Sequence, residues 1–316
     1  MKVDILMATY NGEKYIKEQI ESILNQIHTN FNLHISDDLS TDNTRDILTE
    51  YANKDKRIKL HFQKNNIGYI KNFEYLISIS KAKYKMLTDQ DDVWLEDKVE
   101  ITLNKMLTDK LNLVITDLIV VDKELNMIKP SYFDFIDVKP NNNINIGSYL
   151  LRNPATGCTM MFDNFLAQKM LPFPALVHPY YVHDWYIIMI GQAYGKVGYI
   201  NKPLSKYRQH GNNSIGMHRT KKRSFDFIRT ARYINIKYRI DFCNQLLKKI
   251  NNKSKKEIIE FRNYLKGLEK TKFINFDFKT YIKYSKLVGF KTRLRFLLVF
   301  HFPLFFLSKK VGEKNG

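Results

Sequence analysis

Acidic residues crowd together at two places in this chain, each just after an apolar run. The first group is Asp37, Asp38 and Asp42, and the second is Asp89-Gln90-Asp91-Asp92. Carboxylates held this close repel one another and are costly to keep ionised unless a cation sits among them. A hard divalent ion such as Mg²⁺ or Mn²⁺ is the natural occupant, with a diphosphate supplying further oxygens. Acids that follow strands also cap the next helix or close Asx turns. That reading suits Asp42, whereas the density at Asp89–Asp92 points to ligand chemistry.

The acids need a scaffold. Val3–Ala8, Leu33–Ser36, Ile58–Phe62, Lys83–Thr88 and Leu113–Thr116 read as strands. Apolar residues at three- and four-residue steps predict helices between them, beginning with Tyr15, Ile16, Ile20, Ile23, Leu24 and Ile27. This alternation predicts an α/β fold with a mostly parallel central sheet flanked by helices. Ligands of such sheets bind beyond the carboxyl ends of the strands. Thr9-Tyr10-Asn11-Gly12 and both acidic groups fall there. From Asp122 to Pro154 the pattern breaks into loops and an inserted excursion. A strand is expected again at Thr156–Phe162, a helix at Tyr181–Gln192 and a short strand at Gly195–Ile200. Neither a Gly-x-Gly-x-x-Gly nor a Lys-Ser/Thr phosphate loop occurs.

Charge divides the 316 residues unevenly. Residues 1–216 hold 25 Lys+Arg against 25 Asp+Glu, so the net charge of +19 lies wholly in residues 217–316. The expected organisation is a neutral catalytic body over 1–216 and a basic helical region over 217–316. Leu294–Leu307 is Phe-rich, has basic flanks and is too short to span a bilayer, which suits an interfacial segment. An anionic membrane surface is therefore the expected partner of the tail. A helical bundle with a solvated Lys face is the alternative. The two cysteines, Cys158 and Cys243, make no disulfide framework and imply a reducing, cytosolic setting. The N-terminal apolar run is too short for a signal peptide.

The ordered set Ala8–Gly12 (ATYNG), Asp37–Thr44 (DDLSTDNT), Asn65–Gly68 (NNIG) and Thr88–Trp94 (TDQDDVW) resembles family-two inverting glycosyltransferases, with the bacterial rhamnosyltransferase-like branch nearest. The resemblance covers about the first 215 residues. It implies a glycosyltransferase-A fold and a donor that is a nucleotide sugar, UDP- or dTDP-linked. Thr9 and Tyr10 would line the base pocket, and Asp38 would accept from a pyrimidine N–H. Asp89 and Asp91 match the family's Asp-x-Asp motif, with Asp91 a ligand of Mn²⁺ or Mg²⁺ and Asp89 reaching the ribose or the metal's water shell. Gly157 lies in the loop between donor sugar and acceptor, or in a plain core strand. His183-Asp184-Trp185 would open the helix beneath the acceptor, with Asp184 as base; helix capping is its structural alternative. His210 would complete the metal shell or be a surface histidine, and Arg208 would pair with phosphate oxygens.

The expected activity is inverting transfer to a hydroxyl of a lipid-linked or growing bacterial surface glycan, by a cytoplasmic enzyme attached peripherally to the inner membrane face. Two other classes compete. A sugar nucleotidyltransferase usually carries a Gly-rich, Arg/Lys-bearing loop after the first strand, yet Thr9–Lys14 holds a single Gly and no Arg. A nucleic-acid binder would use the basic tail, but there the apolar cluster is contiguous instead of interleaved with charge, so no nucleic acid is expected.

Overall fold

The computed structural model describes residues 1–140, 144–175, 182–210, 225–270, 278–287 and 289, without the side chains of 225–235, 270, 278, 280 and 287. The expected interfacial segment Leu294–Leu307 lies outside the described residues. The chain forms two compact units. One comprises Met1–Ile136, Pro140–Asn142 and Pro154–Gly216, and the other comprises Asp137–Lys139, Asn143–Asn153 and Met217–Gly316.

The first unit is built on a mixed sheet. Its strands are β1 (Val3–Thr9), β2 (Phe31–Asp37), β3 (Ile58–Phe62), β4 (Tyr84–Thr88), β5 (Val93–Trp94), β6 (Leu113–Val121), β7 (Met127–Lys129), β8 (Met160–Asp163) and β9 (Val197–Arg208). They lie in the order β3-β2-β1-β4-β8-β6-β9-β5, with β7 paired to β6. The strands β3, β2, β1 and β4 are parallel throughout, as are β6 and β9. The antiparallel contacts, β4–β8, β6–β8, β5–β9 and β6–β7, span only two or three residue pairs each.

Hydrophobic periodicity decides which helix faces the sheet. In α1 (Ile16–Leu24), Ile16, Ile20 and Ile23 are buried, and in α3 (Tyr69–Ile79), Phe73, Leu76 and Ile77 are. Between these two, α2 (Thr44–Lys54) buries Leu48. α4 (Lys98–Thr108) buries Val99, Leu103 and Met106. Strand β1 has neighbours on both sides and reads as an almost unbroken apolar run, as parallel strands buried on both faces do. Its one acid, Asp4, is buried, accepting from Ser80 Oγ at 2.7 Å, Ala82 N at 3.1 Å and Asn32 Nδ2 at 3.0 Å. Strands run outward in opposite directions from the β1/β4 pair, which makes its carboxyl end the topological switch point where ligands bind.

Beyond β6 the chain is more ordered than its composition predicts. The expected loop contains α5 (Tyr132–Phe135) and, in the second unit, α6 (Ile146–Leu151). Ser131 and Asn145 cap them through the N–H groups of Asp134 and Ser148. Then come α7 (Asn164–Met170), capped by Asp163, and α8 (His183–Tyr194), most of whose residues are buried. β9 runs far past the expected Ile200 because it pairs with both β6 and β5.

The second unit has its own core. α9 (Phe225–Lys249) buries Ile236, Ile240, Cys243 and Leu246, and α10 (Ser254–Lys270) buries Ile258, Phe261 and Leu265. Arg239 donates to the carbonyls of Leu150 at 2.5 Å and Leu151 at 2.9 Å, satisfying the open end of α6. α11 (Phe278–Tyr284) sets the Tyr284 ring against Gly147, where any Cβ would lie 2.1 Å from Cε1.

Candidate active site

The end of β1 is tied to the loop after β4 by one side chain. Gln90 Oε1 accepts from Thr9 Oγ1 at 2.5 Å and from Tyr10 N at 2.9 Å, while Gln90 Nε2 donates to Tyr10 O at 3.0 Å. Gly12 leaves room for this approach, since a Cβ there would stand 2.4 Å from Gln90 Oε1 and displace the glutamine. Asp38 is buried beside them, with its N–H donating to Thr9 O at 2.9 Å. Its two carboxylate oxygens each take one backbone N–H, from Ile67 and Gly68, both at 2.8 Å. Gly68 has φ +78, so a glycine suits this turn. Asp42 closes an Asx turn, accepting from Thr44 N at 3.0 Å, and plays the structural part expected of it.

The acids after β4 are gripped from the far end of β9. Strand β5 follows Asp92 directly and pairs Val93 with Lys206 and Trp94 with Ser205, which delivers Arg208 and His210 to the acidic loop. His210 Nε2 lies 2.8 Å from Asp91 Oδ2. Arg208 N donates to Asp92 Oδ1 at 3.1 Å, Nε to Asp91 O at 2.8 Å and Nη1 to Lys123 O at 2.6 Å. Nη2 pairs with Glu18. The guanidinium lies 4.6 Å from the centroid of Tyr15, whose ring also stacks on His210 at 4.8 Å.

Asp89, Asp92 and Cys158 bring one potential ligand atom each within 4.8 Å of one another. Burial and the neighbouring carboxylates push Asp89 and Asp92 well above the usual carboxylate range. Burial and the same two acids push the Cys158 thiol far up, and it hydrogen-bonds to Asp89; its sulfur is a soft donor, ill matched to a hard Mg²⁺ or Mn²⁺. Beneath them is Lys98, fully buried, donating to Cys158 O at 2.7 Å and Ser205 Oγ at 2.9 Å with its ammonium 4.1 Å from the Trp94 ring centroid. Among the described residues, Asp91 and His210 also set a carboxylate oxygen and an imidazole nitrogen 2.8 Å apart, two donors that a divalent cation accepts. Asp92, buried in the same loop, is itself hydrogen-bonded to the Cys158 thiol. Imidazole among the donors favours Mn²⁺ over Mg²⁺.

The third element is α8. Asp184 is buried in its first turn, and Trp185 N donates to its Oδ1. Burial first, and then the charge of Asp89, pushes Asp184 up to about 7. Tyr69, at the start of α3, is raised to about 12 by burial and by the charges of Asp184 and Asp89. These influences join the ends of β4, α3 and α8 in one electrostatic neighbourhood. His183 is buried against Phe73, with ring centroids 4.4 Å apart, and burial pushes it down to about 3, so it is neutral. Gly157 lies against it, since a Cβ at that position would be 2.7 Å from His183 Nε2. Trp185 is buried beside it.

The sequence-selected residues thus fall into three groups: Thr9, Tyr10 and Asp38; Asp89, Asp91, Arg208 and His210; and Gly157, His183, Asp184 and Trp185. Gln90, Tyr15, Glu18, Tyr69 and Lys98 were not singled out. Gln90 was visible inside the acidic motif. Lys98 is helix-forming and charged, so nothing in its local sequence signals complete burial.

Residues 4–169 match the sequence profile of the family described as Glycosyl transferase family 2. The chain belongs to that family. It is a glycosyltransferase, and the mixed, largely parallel sheet flanked by helices is the glycosyltransferase-A fold. It is 28% identical over 232 residues to the dTDP-rhamnosyl transferase RfbG of Shigella flexneri, covering 66% of this chain and 73% of that one. It is 27% identical over 241 residues to WfgD of Escherichia coli, covering 72% of this chain and 85% of that one. WfgD is named a UDP-Glc:alpha-D-GlcNAc-diphosphoundecaprenol beta-1,3-glucosyltransferase. The mannosyltransferase PcManGT of Pyrobaculum calidifontis, solved with GDP-Man and Mn²⁺, aligns with a TM-score of 0.55 and 15% identity, covering 83% of this chain and 69% of that one.

Proposed function

We propose that this family-two glycosyltransferase moves a sugar from a UDP- or dTDP-linked donor to an acceptor hydroxyl in one inverting displacement, with Asp184 as base. Above all, the reading is supported by the electrostatic link between Asp184 in α8 and Asp89 after β4, two acids from distant segments that share the carboxyl edge of the sheet. Thr9 and Tyr10 line the base pocket, and Asp38 accepts from the pyrimidine N–H through a remaining lone pair. Asp91 and His210 hold the divalent cation. When bound there, that ion supplies Lewis-acid neutralisation of the charge growing on the leaving diphosphate. Asp184 removes the acceptor hydroxyl's proton as the new bond to the anomeric carbon forms and the bond to the diphosphate oxygen breaks. His183, Trp185 and Gly157 shape the acceptor side around it. The donor assignment follows the names of RfbG and WfgD.

Incubating the protein and Mn²⁺ with a panel of UDP- and dTDP-sugars tests this. Release of nucleoside diphosphate from at least one donor is expected. Release of pyrophosphate from a sugar phosphate and nucleoside triphosphate would point to the nucleotidyltransferase, and silence across the panel would sink the assignment of a UDP- or dTDP-linked donor.

The acceptor we propose is a lipid-linked or growing surface glycan at the cytoplasmic membrane face, in keeping with the diphosphoundecaprenol in WfgD's name and the excess of +19 over residues 217–316. Among the described residues no helix is long and apolar enough to cross a membrane. The apolar stripes of α9 and α10 are used in their own core, so attachment would rest on the Lys and Arg faces and on Leu294–Leu307. Each basic residue near an anionic surface contributes on the order of 1 kcal/mol. Co-sedimentation with phosphatidylglycerol vesicles is expected at low salt, with release at high salt and none with phosphatidylcholine alone. Equal binding to both lipids would remove the electrostatic tether.

A further inference from the structure

Arg208 is the side chain that the sequence assigned to phosphate, and its surroundings contradict that role. It is only 2% exposed. Its guanidinium serves the carbonyls of Asp91 and Lys123 and the carboxylate of Glu18, and its backbone N–H holds Asp92 Oδ1. A diphosphate could engage it only by pulling a buried cation away from three acceptors. The same guanidinium lies against the Tyr15 ring that stacks on His210.

We propose that Arg208 is the positioning residue of the Asp91–His210 pair. It fixes Asp91 through its carbonyl and His210 through Tyr15, and does so without touching the donor. The planar fork is what the task requires. Its nitrogens point at Asp91 O, Lys123 O and Glu18 at once, while a lysine ammonium at the same site has one nitrogen and cannot span them. The neighbouring contacts close the frame: Lys123 O belongs to the turn after β6, Glu18 and Tyr15 to the start of α1, and Asp91 to the loop after β4. One buried cation therefore joins three segments behind the pair. This inference rests on the assignment of the cation to Asp91 and His210.

The test is Mn²⁺ titration of the full-length protein without donor, by isothermal calorimetry, for wild type, Arg208→Lys and Tyr15→Leu, with thermal melts run alongside. Loss of a group that orients a metal ligand typically weakens metal affinity 10–100-fold. That loss is expected for Arg208→Lys, together with UDP affinity within about two-fold of wild type once Mn²⁺ is saturating. Tyr15→Leu should weaken Mn²⁺ in the same direction and provides the measurement if Arg208→Lys does not fold. Unchanged Mn²⁺ affinity in a folded variant, or a selective loss of UDP affinity at saturating Mn²⁺, would overturn the proposal in favour of a phosphate contact while leaving the metal site standing. A wild-type protein that takes up no Mn²⁺ would instead remove the metal assignment and this inference with it.

Discussion

Asp184→Asn is expected to lower kcat by about 10³-fold while leaving donor affinity within about two-fold of wild type. The amide keeps the size of the side chain and can still accept a hydrogen bond from Trp185 N, so local packing is retained. What it loses is the ability to take a proton, a contribution of roughly 10²–10⁴-fold when a positioned base acts on a poor nucleophile such as a sugar hydroxyl. The wild-type pH profile carries the same information. A base works only when ionised, and burial together with the Asp89 charge raises Asp184 to about 7. The wild-type kcat/KM should therefore climb with pH through about 7 and fall about tenfold per pH unit below it. The variant's residual rate should lack that limb. Stability moves the opposite way. Asp184 releases its proton near 3.8 when unfolded and near 7 when folded, so the unfolded state holds fewer protons between those values and the fold loses stability as pH rises across them. Asparagine has no such loss, and the variant should melt no lower than wild type at pH 8. A variant that transfers sugar at the wild-type rate would exclude Asp184 as the base. One that melts far below wild type would show that the residue is structural.

The fold was more readable in the sequence than the site, and the reason is physical. Parallel strands buried on both faces show as plain apolar runs, and β1, β3 and β4 lie within a residue of their expected spans. Helices α1 and α3 carry their core face in the period of their isoleucine, leucine and phenylalanine residues. The long β9 was cut short because its second half, Asn201–Arg208, is half polar and becomes a strand only through long-range pairing with β6 and β5. The excursion after β6 hides its helices for a related reason. α5 and α6 span one turn or slightly more, too short for a period to show, and only their Ser131 and Asn145 caps betray them. Within the site, Asp89, Asp91 and Asp184 were singled out by residue type and position, and the structure brings Asp89 within electrostatic reach of both others. Partnership was not legible. Arg208 looks like a phosphate ligand because arginine commonly is one, and only tertiary contacts show its guanidinium already engaged. Asp38 likewise spends one lone pair on each oxygen holding the Ile67–Gly68 turn, a duty invisible from its position. Lys98 is the extreme case, a lysine in a helical pattern that ends up fully buried under two acids and a thiol.

Asp91→Ala is expected to abolish metal-dependent donor binding and to lower kcat/KM by 10³-fold or more. The side chain supplies the carboxylate oxygen that stands 2.8 Å from His210 Nε2, so its removal takes one ligand outright and leaves the other without the group that aims it. Transition-state neutralisation by a bound divalent ion is worth several kcal/mol, and about 4 kcal/mol corresponds to three powers of ten in rate. Asp92→Ala should behave differently. Its carboxylate is buried and engaged by Arg208 N and the Cys158 thiol, so its loss should disturb the loop and lower the melting temperature while leaving Mn²⁺ affinity less affected than Asp91→Ala does. The contrast separates a ligand from a support at two adjacent positions of sequence. Stripping the wild-type enzyme with a chelator should reproduce the Asp91→Ala phenotype. Mn²⁺ should restore activity at lower concentration than Mg²⁺, because one of the two donors is an imidazole. His210→Ala should erase that preference for Mn²⁺ before it erases activity, since a carboxylate alone serves Mg²⁺ as readily. Full turnover in chelator would remove the cation from the mechanism and leave charge on the leaving diphosphate to be met by backbone N–H groups and Lys or Arg side chains.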